Sequence, residues 1–219
     1  MRDLRSAVCE FIGTAFLTLA VVGSGIMGER LAGGNAALVL LCNSLVTGSA
    51  LVSLILTFSS SSGAHFNPLV SVHAAIHRQI SWERVSGYVV AQVTGALFGV
   101  GMANVLFGLS PFVPSPHVRS GGRLFLSEIL ATFGLIVAIQ FSRKHPQVVA
   151  LAVAAYITGA YWFFPSTSFA NPALTIARAL TNTFSGIRPF DVPAFCAAQI
   201  IGAALATAFS FWITGTRDV

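Results

Sequence analysis

Between Arg30 and Arg78 the chain carries no Lys, Arg, Asp or Glu, and three further charge-free stretches run from Arg84 to Arg119, from Lys144 to Arg178 and from Asp191 to Arg217. A bilayer core about 30 Å thick is crossed by about 20 apolar residues in helix, so these stretches hold several membrane spans. Only 9% of the 219 residues are charged, where a soluble domain carries about 25%. That is too little charge to cover a water-facing surface, which argues against a soluble enzyme, a disordered tail or a secreted disulfide scaffold. The expected class is an all-α polytopic membrane protein.

Hydropathy and helix breakers place six full spans near residues 7–27, 36–58, 84–107, 123–142, 147–165 and 191–214. The N-terminal stretch superficially resembles a signal peptide, but its apolar run is long and no small-x-small cleavage pattern follows, so it is expected to remain as the first span. Two segments that begin at Asn67 and Asn171 are too short to cross. Both open with Asn-Pro, a good helix start: Asn caps free backbone N–H groups, and Pro at the first helical position has no N–H to leave unsatisfied.

The chain also repeats itself. Glu10-Phe-Ile-Gly-Thr14, Asn67-Pro68-Leu69 and Gln92-Val-Thr-Gly95 recur in order as Glu128-Ile-Leu-Ala-Thr132, Asn171-Pro172-Ala173 and Gln199-Ile-Ile-Gly202, at offsets of 118, 104 and 107 residues. The expected organisation is one membrane domain over 1–219, with a first repeat in 1–109 and a second in 122–219. Three spans per unit is an odd number, so the second unit enters the bilayer from the opposite side and the repeat is inverted. Paired short segments at corresponding positions of two inverted halves point to a permeation site near the midplane.

Other function classes find little support. The net charge of +5 comes from single basic residues scattered through loops, with no stripe suited to nucleic acid. Cys9, Cys42 and Cys196 lie alone in apolar runs, so neither a disulfide framework nor a metal site is indicated. No His-Glu-x-x-His, paired Asp or Ser-His arrangement suggests an enzyme, and no cofactor is expected.

Gly63-Ala-His-Phe-Asn-Pro-Leu-Val and Ser168-Phe-Ala-Asn-Pro-Ala resemble the two signature loops of the aquaporin and aquaglyceroporin (major intrinsic protein) family, and the repeated Glu and Gln fit the same pattern. The resemblance covers essentially the whole chain; the first motif departs from it in carrying Leu69 in place of Ala. It implies the aquaporin fold, with six transmembrane helices and two re-entrant half-helices. It further implies a homotetramer in the lipid bilayer, one pore per protomer, passing water and small neutral solutes.

Physical reasoning gives the two Asn-Pro segments a mechanism. Half-helices entering from opposite faces point the positive ends of their dipoles at each other and so repel cations. Asn67 and Asn171 would offer N–H donors to a passing water, which must then turn its own hydrogens outward and cannot sustain a proton wire. Glu10 and Glu128 are intramembrane carboxylates, costly unless partnered. The resemblance implies that they accept backbone N–H groups of the re-entrant loops, and that His65 lines the cytoplasmic mouth. His73, His77, His117 and His145 read as ordinary helix-end or loop residues.

In the family, selectivity comes from a constriction of four positions, usually with an aromatic residue and an arginine just after the second motif. The corresponding positions here are Thr47, Gly159, Ser168 and Leu174, with Phe169 replacing Ser168 if the count slips by one. Every bulky or charged element is then expected to be gone, and Arg178, one turn beyond Leu174, is not counted as a substitute. The lost arginine resembles the bacterial arsenic-resistance branch of aquaglyceroporins, which implies passage of glycerol-like polyols and of trivalent and methylated arsenic hydroxides.

Topology is weakly marked. With both termini cytoplasmic in the cell inner (plasma) membrane, Arg2, Arg5, Arg78, Arg84, Arg143, Lys144 and Arg217 lie inside, against Arg30, Arg119, Arg123, Arg178 and Arg188 outside. Two alternatives to the wide channel are a water-selective aquaporin and a proton-coupled secondary transporter using Glu10 or Glu128.

Overall fold

The computed structural model describes residues 2–214, so Arg217 lies outside the described residues. The described chain is all helical. In order it forms α1 (Arg2–Leu31), α2 (Ala36–Ser62), α3 (Pro68–Ile76), α4 (Trp82–Leu106), α5 (Gly122–Ser142), α6 (Pro146–Phe163), α7 (Pro172–Arg178) and α8 (Val192–Thr214). A single 3-10 turn over Pro189–Asp191 leads into α8.

Six of these helices are long and apolar enough to cross a membrane. At 1.5 Å per residue, α3 and α7 reach only about 14 and 10 Å, well short of the hydrocarbon core. Their boundaries follow from local chemistry. Asn67 Oδ1 accepts from Leu69 N, Asn171 Oδ1 accepts from Ala173 N and Leu174 N, and Pro68 and Pro172 open each helix. Asn35 caps α2 in the same manner, and α2 stops at Gly63, whose φ of 90° suits a residue without Cβ.

The packing is arranged twice over. α1 packs against α2 and α4, as α5 packs against α6 and α8; α3 lies on α4 and α8, and α7 on α8 and α4. α2 meets α6 between the halves. Close approach depends on paired glycines: a Cβ at Gly95 would collide with the Phe11 carbonyl, and one at Gly202 with the Ile129 carbonyl. Large apolar side chains such as Phe16, Leu45, Phe98, Leu130 and Leu205 stand exposed on the outer surface, where lipid takes the place of water.

Candidate functional site

Glu10 and Glu128 build the centre of the molecule by gripping backbone. Glu10 Oε1 accepts from His65 N at 2.9 Å and from Ser62 Oγ at 2.6 Å; Oε2 accepts from Phe66 N at 2.6 Å and from Gln92 Nε2 at 2.8 Å. In the second half, Glu128 Oε1 accepts from Phe169 N at 2.9 Å, and Oε2 from Ala170 N at 2.9 Å and Gln199 Nε2 at 2.7 Å. Both carboxylates are fully buried and neither borders the central cavity.

Each grip holds a loop in an unusual shape. Ala64 and Phe66 have φ of 51° and 50°, and Ser168 and Ala170, at the same offset of the repeat, have 50° and 47°. Left-handed backbone at residues with a Cβ costs of order 1–3 kcal/mol each and persists only where surrounding bonds enforce it. Here the enforcing bonds are those to Glu10 and Glu128.

The loops deliver α3 and α7 nose to nose. Asn67 Nδ2 donates to the Ala170 carbonyl and Asn171 Nδ2 to the Phe66 carbonyl, both at 2.8 Å. An amide nitrogen carries two hydrogens, so each Asn keeps one for the cavity that both border. Neither Leu69 nor Ala173 borders it. Leu69 packs away from it with Val70, Ile136, Ala203 and Ala206, and the next residues, Val70 and Leu174, supply the apolar wall beside the asparagines.

The cavity has a volume of about 290 Å³. Towards the α3 side it is bordered by His65, His73, Gln79, Gln140 and Arg143, and towards the C-terminal end of α7 by Thr47, Tyr161, Ser168, Phe169 and Arg178. No Asp or Glu borders it among the described residues. His65 Nδ1 lies 3.0 Å from Ser71 Oγ. The Tyr161 hydroxyl lies 3.3 Å from Thr47 Oγ1, which itself donates to the Asn43 carbonyl.

Three of the expectations for this wall need correction. Gly159 does not border the cavity: its open side faces the Phe163 ring, and Tyr161, two residues on, reaches the wall instead. Arg178, set aside in the sequence, is 2% exposed and borders the cavity, with Nε donating to the Ser185 carbonyl at 2.5 Å and Cζ 3.3 Å from the Phe169 ring centroid. The wall therefore retains aromatic and charged groups. His73 is no plain helix-end residue: it bridges Thr207 Oγ1 at 2.9 Å and Gln140 Oε1 at 3.1 Å, and its ring lies 4.5 Å from that of His77. The His73–His77 spacing of one helical turn was the only local hint, because the partners come from α5 and α8. Thr47, Ser168, Phe169 and Leu174 all border the cavity, and no group of three or more metal-binding side chains occurs among the described residues.

The chain resembles known proteins in sequence and in fold. The model of the family described as "Major intrinsic protein" matches residues 1–158. An aquaglyceroporin, AqpS, of Rhizobium meliloti (strain 1021) is 46% identical over 210 residues, covering 95% of this chain and 90% of its own. The lens fiber major intrinsic protein of Gallus gallus is 32% identical, over 94% of this chain and 82% of its own. Among solved structures, the aquaglyceroporin from Plasmodium falciparum superposes with a TM-score of 0.77 at 20% identity, over 94% of this chain and 95% of that one.

Proposed function

Because the chain belongs to the major intrinsic protein family, as a multi-pass membrane channel for water and small solutes, we propose that it passes neutral polyols, trivalent and methylated arsenic hydroxides and water passively while excluding ions. The observation that carries this reading is a cavity with no carboxylate on its wall among the described residues and an apolar side chain, Leu174, on the wall with Asn171. An uncharged solute gives up little hydration in such a wall and regains hydrogen bonds from Asn67 and Asn171. Cations are repelled by the facing positive ends of α3 and α7, and any ion sheds hydration against an apolar wall that does not replace it.

The burial of Glu10 and Glu128 among backbone donors, away from the cavity, favours the channel over a proton-coupled transporter, because neither carboxylate has a spare lone pair facing a solute path. The sites proposed are Asn67, Pro68, Leu69, Asn171, Pro172 and Ala173 for the central junction; Thr47, Ser168, Phe169 and Leu174 for selectivity; and His65 for the cytoplasmic mouth. The wider reading includes two repeats within one domain, four protomers around a symmetry axis and both termini on the cytoplasmic side of the inner membrane.

The test is a light-scattering permeability series on reconstituted protein with water, glycerol, urea and arsenous acid. The reading expects uptake of all four that rises linearly with concentration and shows low temperature dependence. Permeability to water alone would remove the solute-channel reading and leave a water-selective pore.

A further inference from the structure

The polar groups that build the centre come in pairs related by the repeat: Glu10 with Glu128, Asn67 with Asn171 and Gln92 with Gln199. His73 and Gln140 break that rule. At the repeat offsets of 104 and 118 residues their counterparts are Ala177 and Val22, both fully buried and apolar. The scaffold that the two halves share therefore does not call for this polar pair.

The pair is joined in one sense. Gln140 Oε1 lies 3.1 Å from His73 Nε2, and an amide oxygen accepts without donating, so Nε2 carries the hydrogen. The other ring nitrogen, Nδ1, lies 2.9 Å from Thr207 Oγ1, whose hydroxyl can aim its hydrogen at Nδ1 or at the Ala203 carbonyl 2.8 Å away. Thr207 thus serves the ring whether Nδ1 is bare or protonated, and the bond from Nε2 to Gln140 stands in both cases. With its oxygen held, the amide turns its NH2 group away from His73. Gln140 is 5% exposed and borders the cavity, and its Nε2 has no hydrogen-bond partner among the described residues. A nearly buried amino group with two open hydrogens is costly unless water or a solute accepts them. The cavity is also bordered by Ile139 on the same helix and by Val149 and Val153 on α6, whose side chains offer a solute no hydrogen bond.

We propose that Gln140 forms a further solute-binding station, in the α3 half of the cavity, and that His73 is its positioning residue. The inference rests on the channel reading above. The ligand is a small neutral molecule with a carbonyl or hydroxyl oxygen, which accepts from Gln140 Nε2 while its carbon skeleton lies against the apolar wall. This station is separate from the asparagine junction, because His73 stands six residues beyond Asn67, about 9 Å along α3. A solute that has left Asn67 and Asn171 meets another fixed donor there instead of bare hydrocarbon. Water depends on that donor less, since a second water can replace it where a bulkier solute leaves no room for one.

Proteoliposomes in which glycerol and water permeability are measured on the same vesicles test this. Gln140→Leu should lower the glycerol-to-water ratio about fivefold, the scale of one lost hydrogen bond. Two variants of His73 separate positioning from packing, because a glutamine amide can place an N–H where Nε2 stands, whereas an asparagine amide reaches only the place of Nδ1. His73→Gln should therefore keep the wild-type ratio, and His73→Asn should reproduce the fall seen in Gln140→Leu. An unchanged or raised ratio in Gln140→Leu protein inserted at wild-type levels would overturn the proposal. If that variant fails to assemble, equal ratios in His73→Gln and His73→Asn overturn it. Failure of the channel reading is distinct: wild-type vesicles would then pass neither water nor glycerol.

Discussion

Asn67 and Asn171 are tied crosswise, each donating a 2.8 Å hydrogen bond to the carbonyl that precedes the other: Asn67 Nδ2 to Ala170 and Asn171 Nδ2 to Phe66. Replacing either by Ala removes a helix cap and orphans a buried carbonyl. Each single change should cost about 2–4 kcal/mol from those two losses together. The double variant should lose less than the sum, since one broken tie already frees the junction for relaxation. Thermal unfolding of the detergent-solubilised protein measures both; strict additivity would show the two ties to be independent.

The carboxylates should prove structural when removed. Gln at position 10 offers one acceptor oxygen to Ser62, His65, Phe66 and Gln92, and turns an NH2 group toward donors. Glu10→Gln and Glu128→Gln should each destabilise the protein by about 3 kcal/mol, the scale of one or two hydrogen bonds to a charged group. In wild-type vesicles an imposed proton gradient should leave glycerol uptake at its passive level. Accumulation of glycerol driven by the gradient would transfer the coupling role back to these residues.

Mercury should act weakly on the wild-type channel. Cys9, Cys42 and Cys196 are free thiols, but none borders the cavity. Ser168 does border it, so Ser168→Cys should acquire a block of water permeability by mercury that added thiol reverses. Strong block of the wild type would instead direct attention to Cys42 or Cys196.

Size selection should respond to Leu174. Arginine there would add a long cation to the cavity wall next to Asn171, and glycerol uptake should fall at least tenfold while water permeability changes less. Equal glycerol uptake in Leu174→Arg and wild-type vesicles would mean that the apolar wall at this level does not limit solute size.

The glycines divide into two kinds. Gly95→Ala and Gly202→Ala place a methyl against the backbone of a neighbouring helix, and each should cost about 1–3 kcal/mol through overpacking. Gly87→Ala, exposed on α4 with nothing within 4 Å of the new Cβ, should gain up to about 1 kcal/mol from helix propensity. Melting temperatures of the three variants separate the cases.

Much of the architecture was legible because it rests on local or periodic signals. Hydropathy and helix breakers mark the six long helices to within about five residues, and Asn-Pro marks the start of α3 and α7 because capping is a property of adjacent residues. What escaped depends on distance in space. Gly159 was placed by counting along the chain, but the face that α6 turns to the cavity is set by its packing on α2 and α5, and that brings Tyr161 to the wall. Arg178 was set aside for standing one turn too far along α7. A guanidinium on a flexible stem spans such a gap, and its resting place is decided by Phe169 and the Ser185 carbonyl. His73 gave no sign of its role because Gln140 and Thr207 lie 67 and 134 residues away.

The grip of Glu10 and Glu128 falls on main-chain N–H groups, and the backbone is the same whatever side chain a loop residue carries. The shape of the passage is thus held separately from the chemistry of its walls. A lineage can exchange the residues at 65, 168 or 174 one at a time, trying new permeants while the scaffold stays intact. That separation gives one inherited frame room to diversify in what it carries.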